Sequence, residues 1–524
     1  MPLTRKAVAE VCISVLLILS STLVLAATVS EQQRELFKRV YPAVERGNWG
    51  VVEALSADER ELLEDYVLYP DLRATWFRVT LSNADHAEIE AFLQHHGVLK
   101  PARDLRYRYA RHLAAVGNLD EYLKVYEQFY QGLDDARLDC LALQAELDAG
   151  RTARVVNRAI DLWTVGQSQV DECDPVFEFL DDGNHLDIVD YMKRFELAIE
   201  AREFSMARWL GKGIDQKHID IAARWLQAQR NPESLVANAA KLPNDETTRA
   251  QLAYAIERIT YDDPVRALEL WKDLSRGQRF SAERELRTER HIALWMARDG
   301  LPGAYEQLNA LPLAAQNTEV TRWRARISLR KRNWSDLVAD IETMPAEEKE
   351  LEDWQYWYAI SLQNTNRIAE GETVLEDLAS QRSYYGFLAA DELGLPYSFI
   401  HDAFVPDETR MAELAARPEL IRAHELFRVG LDSKGRSEWD AVVRDLEKDD
   451  KMQAALLANR WGWHSRAIAA AASVGDYDDL SLRYPLPFTE TFHEHSEAAG
   501  ISTPWAYGVA RSESLFMRDV RSRA

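Results

Sequence analysis

One acidic residue near the end of the chain is the strongest candidate for chemistry. The stretch from Val509 to Ser514 reads VARSES, and Glu513 lies four residues after Val509, toward the apolar side of a predicted helix. A carboxylic acid against an apolar wall has its charged form disfavoured, which raises its pKa. A raised pKa is what a general acid needs near neutral pH. The spacing also allows a plainer interpretation, a helix-surface glutamate beside Arg511 and Arg518.

Other reactive residue types lack the spacing that their chemistry requires. The HEHSE stretch at 493–497 does not have the H-E-x-x-H spacing that places two histidines on one helix face, so we expect no metal site. Ser512 and Ser514 have no G-x-S-x-G context, which argues against a serine hydrolase. No glycine-rich phosphate loop is present, and we expect no cofactor. The formal charge of −23 argues against nucleic acid as a partner, since phosphate binding needs clustered Lys and Arg.

Glu513 needs a helix to position it, and the residues before it are typical of a helix start. Thr503 is the predicted N-cap and Pro504 the first helical residue. The predicted apolar stripe of this helix consists of Trp505, Val509 and Phe516. Asp519, six residues after Glu513, is expected to face away on the same helix, and we assign it no role.

Most of the chain before this helix is predicted to be a helical repeat. Apolar residues recur at helical spacing in pairs of segments separated by short turns. The predicted turns lie at Gly117, Gly150, Gly300, Asn333 and Asn366. Three intervals between them are 33 residues long, a period typical of tetratricopeptide repeats, whose stacked pairs form a superhelix. The phase cannot be read between about 175 and 250, and we interpret the aromatic residues of the repeats as core.

The repeat rhythm ends near residue 380. Further helical segments follow, with Trp461-Gly462-Trp463 at a turn between two of them, and then a proline-containing extended piece that leads to Thr503. We therefore predict an all-α chain made of a superhelical repeat domain at 27–378, a small helical linker domain at 379–475 and the beginning of a third domain at 476–524.

The N-terminus and the cysteines both indicate export. Arg5 and Lys6 precede an apolar run that ends in small residues, which predicts a signal peptide at 1–26 and no stable membrane span after cleavage; an uncleaved anchor is the alternative. The mature chain then keeps Cys140 and Cys173. An even pair in an oxidising compartment favours a disulfide, with two free buried thiols as the alternative.

Three stretches together resemble one known family. VARSES at 509–514, RYP at 483–485 and SYYGFLAA at 383–390 are similar to motifs of the soluble lytic transglycosylases of Gram-negative bacteria. The resemblance covers essentially the whole mature chain. It implies a periplasmic protein with a U-shaped helical domain, a helical linker and a lysozyme-like catalytic domain, and it places a Cys140–Cys173 disulfide in the U-shaped domain.

The resemblance also implies an activity. The family cleaves the β-1,4 bond between N-acetylmuramic acid and N-acetylglucosamine in peptidoglycan and leaves a 1,6-anhydromuramoyl end. Glu513 is then the single acid and base, because the C6 hydroxyl of the substrate replaces the second carboxylate of ordinary glycosidases. The implied partners are peptidoglycan glycan strands, with cell-wall synthesis proteins as a further class.

The sequence departs from the family pattern after Glu513. The family continues into a Gly-Leu-Met-Gln-like segment and the rest of the catalytic domain, neither of which follows here. We therefore expect a C-terminally truncated chain that lacks most of the cleft around Glu513. The alternative function is a helical-repeat scaffold that binds peptidoglycan or proteins without cleaving glycan.

Overall fold

The computed structural model describes residues 30–475 and 478–521, and within these ranges the chain forms helices and turns without a β-strand. The all-α fold class predicted from the sequence is confirmed. In the described part of the chain, no helix combines the length and apolar character needed to cross a bilayer. The predicted signal peptide at 1–26 lies outside the described residues.

The helices divide between two compact units. One unit comprises the described residues up to Tyr122 together with those from His401 onward, and the other is Leu123–Ile400. The first helices of the chain are α1 (Glu31–Glu45), α2 (Gly50–Glu53), α3 (Ala57–Glu64), α4 (Tyr69–Thr80), α5 (His86–His96), α6 (Lys100–Ala115) and α7 (Leu119–Phe129).

The next helices are α8 (Ala136–Asp148), α9 (Val156–Trp163), α10 (Asp174–Asp182), α11 (Ile188–Glu200), α12 (Phe204–Leu210), α13 (Gln216–Arg230), α14 (Pro232–Ala237), α15 (Glu246–Asp262), α16 (Pro264–Gly277), α17 (Ala282–Arg298), α18 (Ala304–Ala310), α19 (Thr318–Arg330), α20 (Trp334–Glu342), α21 (Ala346–Lys349), α22 (Glu352–Asn364), α23 (Ile368–Ala379) and α24 (Tyr384–Leu393). The helices after His401 are α25 (Glu408–Ala415), α26 (Pro418–Arg428), α27 (Asp432–Arg444), α28 (Lys448–Arg460), α29 (His464–Ser473), α30 (Leu480–Arg483), α31 (Thr489–Ala499) and α32 (Thr503–Ser514). The predicted boundaries of the repeat, linker and third domains, after residues 378 and 475, stay a prediction.

The predicted turns between repeat helices have a conformational basis. Gly117, Gly150 and Gly300 have φ values of +77°, +74° and +66°, and Asn366 has +65°. Glycine and asparagine tolerate this left-handed region better than other residues, so these turns could be predicted. Asn333 also lies in the turn between its two helices, but there the positive φ of +52° falls on the preceding Arg332. Asn333 instead caps α20 with its side chain.

Small residues allow consecutive repeat helices to approach. Ala325 on α19 and Ala359 on α22, which are 34 residues apart in sequence, are both fully buried. Gly386 near the start of α24 allows a close approach to the preceding turn, since a Cβ there would collide with the carbonyl oxygen of Gln381. Ser383 caps the same helix by accepting a hydrogen bond from the amide of Gly386 at 3.0 Å. The SYYGF motif therefore has a packing role at the start of α24.

In the unit that contains both chain ends, helices from the N-terminal part pack on helices from the C-terminal part. Leu426 on α26 is buried in the apolar cluster formed by α1 to α4. Arg422, one turn earlier, donates a hydrogen bond to the Asp71 carboxylate at 2.8 Å. The Glu425 carboxylate accepts hydrogen bonds from Arg34 at 2.7 Å and from the Tyr66 hydroxyl at 2.9 Å. Ion pairs and apolar packing thus join segments more than 350 residues apart.

The structure confirms the Cys140–Cys173 disulfide. Cys140 lies in α8 and Cys173 in the short 3₁₀ turn Asp171–Cys173 before α10. Both side chains are fully buried and their Cα atoms are 4.9 Å apart. The alternative of two free thiols is therefore wrong.

Candidate active site

The helix that carries Glu513 is the second helix of a hairpin formed by α31 and α32. Gly500, with φ of +67°, ends α31, and α32 begins at Thr503. The predicted N-cap is wrong by one residue, because Ser502 occupies the cap position. The Thr503 hydroxyl is instead hydrogen-bonded to the hydroxyl of Ser496 at 2.6 Å, which ties the start of α32 to α31.

Aromatic side chains hold the two helices of the hairpin together. Tyr507 is buried and its ring stacks on Phe492 of α31 with centroids 4.1 Å apart. Its hydroxyl donates a hydrogen bond to the carbonyl oxygen of Pro487 at 2.8 Å. Phe516 contacts both rings edge-on, with centroids 6.4 Å from Phe492 and 6.2 Å from Tyr507. The hairpin therefore presents α32 on a packed aromatic support.

Glu513 lies on the face of α32 that points away from this support. Its side chain is exposed, as are Trp505 and Val509, which lie two turns and one turn earlier on the helix. Trp505 is 61% exposed and Val509 42% exposed. The predicted apolar stripe is therefore partly wrong. Trp505 and Val509 do lie near Glu513, but they form an open surface, and Phe516 belongs to the aromatic support.

The position at which α32 ends explains why Phe516 does not lie on the same helix face as Trp505 and Val509. The helix ends at Ser514, and the next two residues adopt left-handed conformations, with φ of +49° at Leu515 and +62° at Phe516. Ser514 stabilises this ending, because its hydroxyl donates to the carbonyl of Ala510 at 2.6 Å and accepts from the amide of Phe516 at 3.1 Å. Ser514 thus has a structural role.

Arg511 does not pair with Glu513. Its Nε donates to the carbonyl oxygen of Arg483 at 2.7 Å, and its guanidinium lies 4.5 Å from the ring centroid of Tyr484. Burial lowers the pKa of Arg511. Arg518 is also occupied elsewhere, with its guanidinium 5.3 Å from the ring centroid of Phe488. Within the described residues, Glu513 forms no ion pair, and its side chain is exposed to solvent.

Asp519 has a different position from the one expected. It lies beyond the end of α32 and accepts two hydrogen bonds from Arg436 of α27, at 2.9 and 3.0 Å. The hydrogen bond from Arg436 lowers the pKa of Asp519. Sequence reasoning missed this contact because Arg436 is 83 residues away and no local pattern connects the two. Asp519 fastens the segment after α32 to the helices that precede the hairpin.

Comparison with known proteins identifies the relatives of this chain. The family model described as "Soluble lytic murein transglycosylase L domain" matches residues 413–480. The soluble lytic murein transglycosylases of Salmonella typhimurium and Escherichia coli K12 are each 26% identical over 494 residues, which is 94% of this chain and 75% of each relative.

Solved structures give the same result. An inactive Glu-to-Gln mutant of lytic transglycosylase Slt from Pseudomonas aeruginosa is 29% identical, with a TM-score of 0.68 over 93% of this chain and 78% of that one. The 70-kDa soluble lytic transglycosylase of Escherichia coli shares the fold, with 24% identity and a TM-score of 0.78 over 94% of this chain and 78% of that one. The chain is therefore similar to the soluble lytic murein transglycosylases over nearly its whole length, as its sequence motifs predicted, and residues 413–480 match the L domain of that family.

Proposed function

We propose that this chain is an exported lytic transglycosylase that acts on peptidoglycan, with Glu513 as the single catalytic acid and base. The observation that carries the proposal is the placement of Glu513. It lies in the family-like VARSES stretch, on a helix held rigidly by an aromatic support, with its carboxyl group open to substrate. Homology to lytic murein transglycosylases over 94% of the chain supports the reaction class.

The proposed reaction needs only one carboxyl group. Protonated Glu513 donates its proton to the oxygen that links N-acetylmuramic acid to N-acetylglucosamine, and the bond from C1 of the muramoyl residue to that oxygen breaks. The resulting carboxylate takes the proton of the C6 hydroxyl, whose oxygen bonds to C1 of the same sugar. The products are a 1,6-anhydromuramoyl end and a free 4-hydroxyl, so protons balance and no water is consumed. The inactive Glu-to-Gln mutant of the Pseudomonas aeruginosa relative supports a requirement for one glutamate.

The first step requires an environment that keeps Glu513 protonated. An unperturbed glutamate has a pKa of about 4.3 and is ionised at neutral pH, which makes it a poor acid. Covering the open surface formed by Trp505 and Val509 would bury the carboxyl group against apolar atoms, where the uncharged form of a carboxylic acid is favoured. We propose that bound glycan provides this cover.

Digestion of murein sacculi tests the proposal. Purified chain is incubated with sacculi, and soluble products are separated by liquid chromatography and identified by mass. We expect anhydromuropeptides from the unmodified chain and none from Glu513→Gln. The matched control is Glu497→Gln, which changes an exposed glutamate on the neighbouring helix α31 and should leave product formation intact. Binding to sacculi without any release would instead support the alternative of a non-enzymatic scaffold.

Export to the periplasm is part of the proposal. The buried Cys140–Cys173 disulfide supports it, because such bonds form and persist in oxidising compartments. The signal-like sequence at 1–26 supports the same route. Fractionation of expressing cells should recover the chain with periplasmic proteins; recovery with cytoplasmic markers and with free thiols would contradict export.

A further inference from the structure

A small cavity in the unit Leu123–Ile400 is lined by charged side chains that the proposed reaction does not use. It has a volume of about 200 Å³ and lies between three successive helical segments, α7, α8 and the start of α9. Ligand pockets for drug-sized molecules are commonly larger, at about 300–1,000 Å³. The cavity is therefore suited to one end of a longer molecule.

One arginine of the cavity is held in place by two consecutive hydrogen bonds that pass through a buried tyrosine. Nη2 of Arg158 donates to the hydroxyl of Tyr126 at 2.9 Å, and that hydroxyl donates in turn to the Asp139 carboxylate. Tyr126, at the centre of this chain of hydrogen bonds, is 2% exposed, and Arg158 and Asp139 are half-buried. Burial raises the pKa of Tyr126 to about 12, and the phenol keeps the proton that it donates. Arg158 thus presents its remaining N–H groups in a fixed orientation, without a carboxylate partner among the described residues.

Two further charged groups line the cavity without ion pairs. In the part of the chain that the structure describes, neither Arg154 nor Glu127 forms an ion pair. A fourth charged group, Glu146, is already paired with Arg151 and is 7% exposed. The cavity therefore offers two guanidinium groups to an anion and, close by, one carboxylate to a cation.

This arrangement selects for a zwitterion. Two guanidinium groups can bind a carboxylate through charge-assisted, bidentate hydrogen bonds. Glu127 and Glu146 repel an ion that carries only negative charge, such as phosphate, but Glu127 can accept hydrogen bonds from an ammonium group. The chain as a whole carries −23, so the local cations of this cavity are what attracts a carboxylate. A peptide end with an amine beside its carboxylate satisfies all of these groups.

We propose that this cavity binds the zwitterionic end of a peptidoglycan stem peptide. The assignment of the peptide to peptidoglycan rests on the proposed function. The diaminopimelate residue of a stem tripeptide carries an ammonium and a carboxylate on one carbon, which matches the charges of Arg154, Arg158 and Glu127. The cavity then binds the peptide part of the substrate, and Glu513, which is not part of the cavity, cleaves the glycan part.

Calorimetric titration of the full chain with the free tripeptide L-Ala-γ-D-Glu-meso-diaminopimelate tests the proposal. We expect saturable binding that weakens about tenfold or more in Arg158→Gln and in Arg154→Gln, since each loses a charge-assisted hydrogen bond. Tyr126→Phe should weaken binding less, because it frees the guanidinium of Arg158 without removing it. The matched control is Arg208→Gln, an exposed arginine on α12, which should bind as the unmodified chain does.

Several results would overturn the inference. The first is the absence of saturable binding. The second is equal affinity for a tripeptide whose carboxylates are amidated. The third is unchanged affinity in both arginine variants, provided that circular dichroism shows the helical content and melting of the unmodified chain. Equal or tighter binding of an L-peptide with an ordinary protein carboxyl terminus would also reject the stem-peptide assignment.

The two proposals fail separately. Glu513→Gln should retain tripeptide binding, because Glu513 is not part of the cavity. Lack of anhydromuropeptide release by the unmodified chain, with tripeptide binding present, would reject the proposed reaction and keep the binding site. Release of product without tripeptide binding would reject the binding site alone.

Discussion

The strongest stability prediction concerns Arg422, which links helix α26 to helix α4 in the unit that contains both chain ends. Its side chain is 5% exposed and lies against the Asp71 carboxylate, whose side chain is 2% exposed. It also donates to the carbonyl oxygen of Val67 at 2.8 Å and forms two hydrogen bonds to Glu438, at 3.1 and 2.8 Å. Arg422→Gln removes the charge and leaves Asp71 buried without its cation.

We expect this substitution to lower the free energy of unfolding by about 3–5 kcal/mol, the usual cost of removing one partner from a buried ion pair. The effect should depend on pH. Burial raises the pKa of Asp71, and Arg422 opposes that rise, so the pKa rises further when Arg422 is removed. A carboxyl group with a raised folded-state pKa binds its proton more readily in the folded protein than in the unfolded one. The deficit should therefore be largest at neutral pH and shrink as the pH falls through the folded-state pKa of Asp71.

Urea unfolding followed by tryptophan fluorescence measures the effect, and Trp439 and Trp463 report on this unit because both are buried in it. A chain of two units can unfold in more than one transition, so the shift is read from the transition that these residues report. The matched control is Arg39→Gln, whose partner Glu59 is also exposed, and it should cost about 0–1 kcal/mol.

A double-mutant cycle decides whether the ion pair is responsible. Asp71→Asn removes the charge that Arg422→Gln leaves behind, so the double variant should be less destabilised than the sum of the single variants. Strict additivity, or a cost for Arg422→Gln no larger than that of the exposed Arg39→Gln, would refute the reasoning.

Three other predictions follow from the described residues. Cys140→Ser combined with Cys173→Ser should cost about 3–4 kcal/mol, because the bond closes a 33-residue loop; melting with and without reductant should show the same loss in the unmodified chain. Gly386→Ala should cost about 1–3 kcal/mol in urea unfolding, because its Cβ collides with backbone; no change would contradict the contact. Burial lowers the pKa of His424 to about 4, below its unfolded value, so stability should fall as pH drops from about 6.5 toward 4, and His424→Phe should make that slope shallower; an unchanged slope would contradict the assignment.

The fold class could be predicted because its signals are local. Turn residues such as Gly117 and Gly150 have the positive φ that their type allows, and the 33-residue period shows which turns are equivalent. The phase was lost between 175 and 250 for a physical reason. There α12 and α14 have only seven and six residues, and 3₁₀ turns at Gly211–Gly213 and Ala239–Lys241 interrupt the rhythm.

Contacts between distant segments could not be predicted. Arg422 and Asp71 are 351 residues apart, and each alone looks like an ordinary surface residue in a chain with 28% charged residues. Arg436 and Asp519 give a second example, since Asp519 was placed on a helix that in fact ends five residues earlier. A hydrogen-bonding serine and two left-handed residues end that helix, and neither leucine nor phenylalanine signals a positive φ.

Glu513 has one property that could be predicted from local sequence and one that depends on distant groups. Its neighbours in sequence resemble a motif of the lytic transglycosylases, and a motif is a local property that can be read without the fold. Its acidity is not local, since it depends on what covers Trp505 and Val509, and in the described residues both side chains are open. The aromatic support beneath α32 orients the glutamate without changing its surroundings. The helix α32 can therefore carry a family-like motif while its glutamate is an ordinary surface carboxylate. Glu513 can act as a general acid only when the exposed face of this helix is covered.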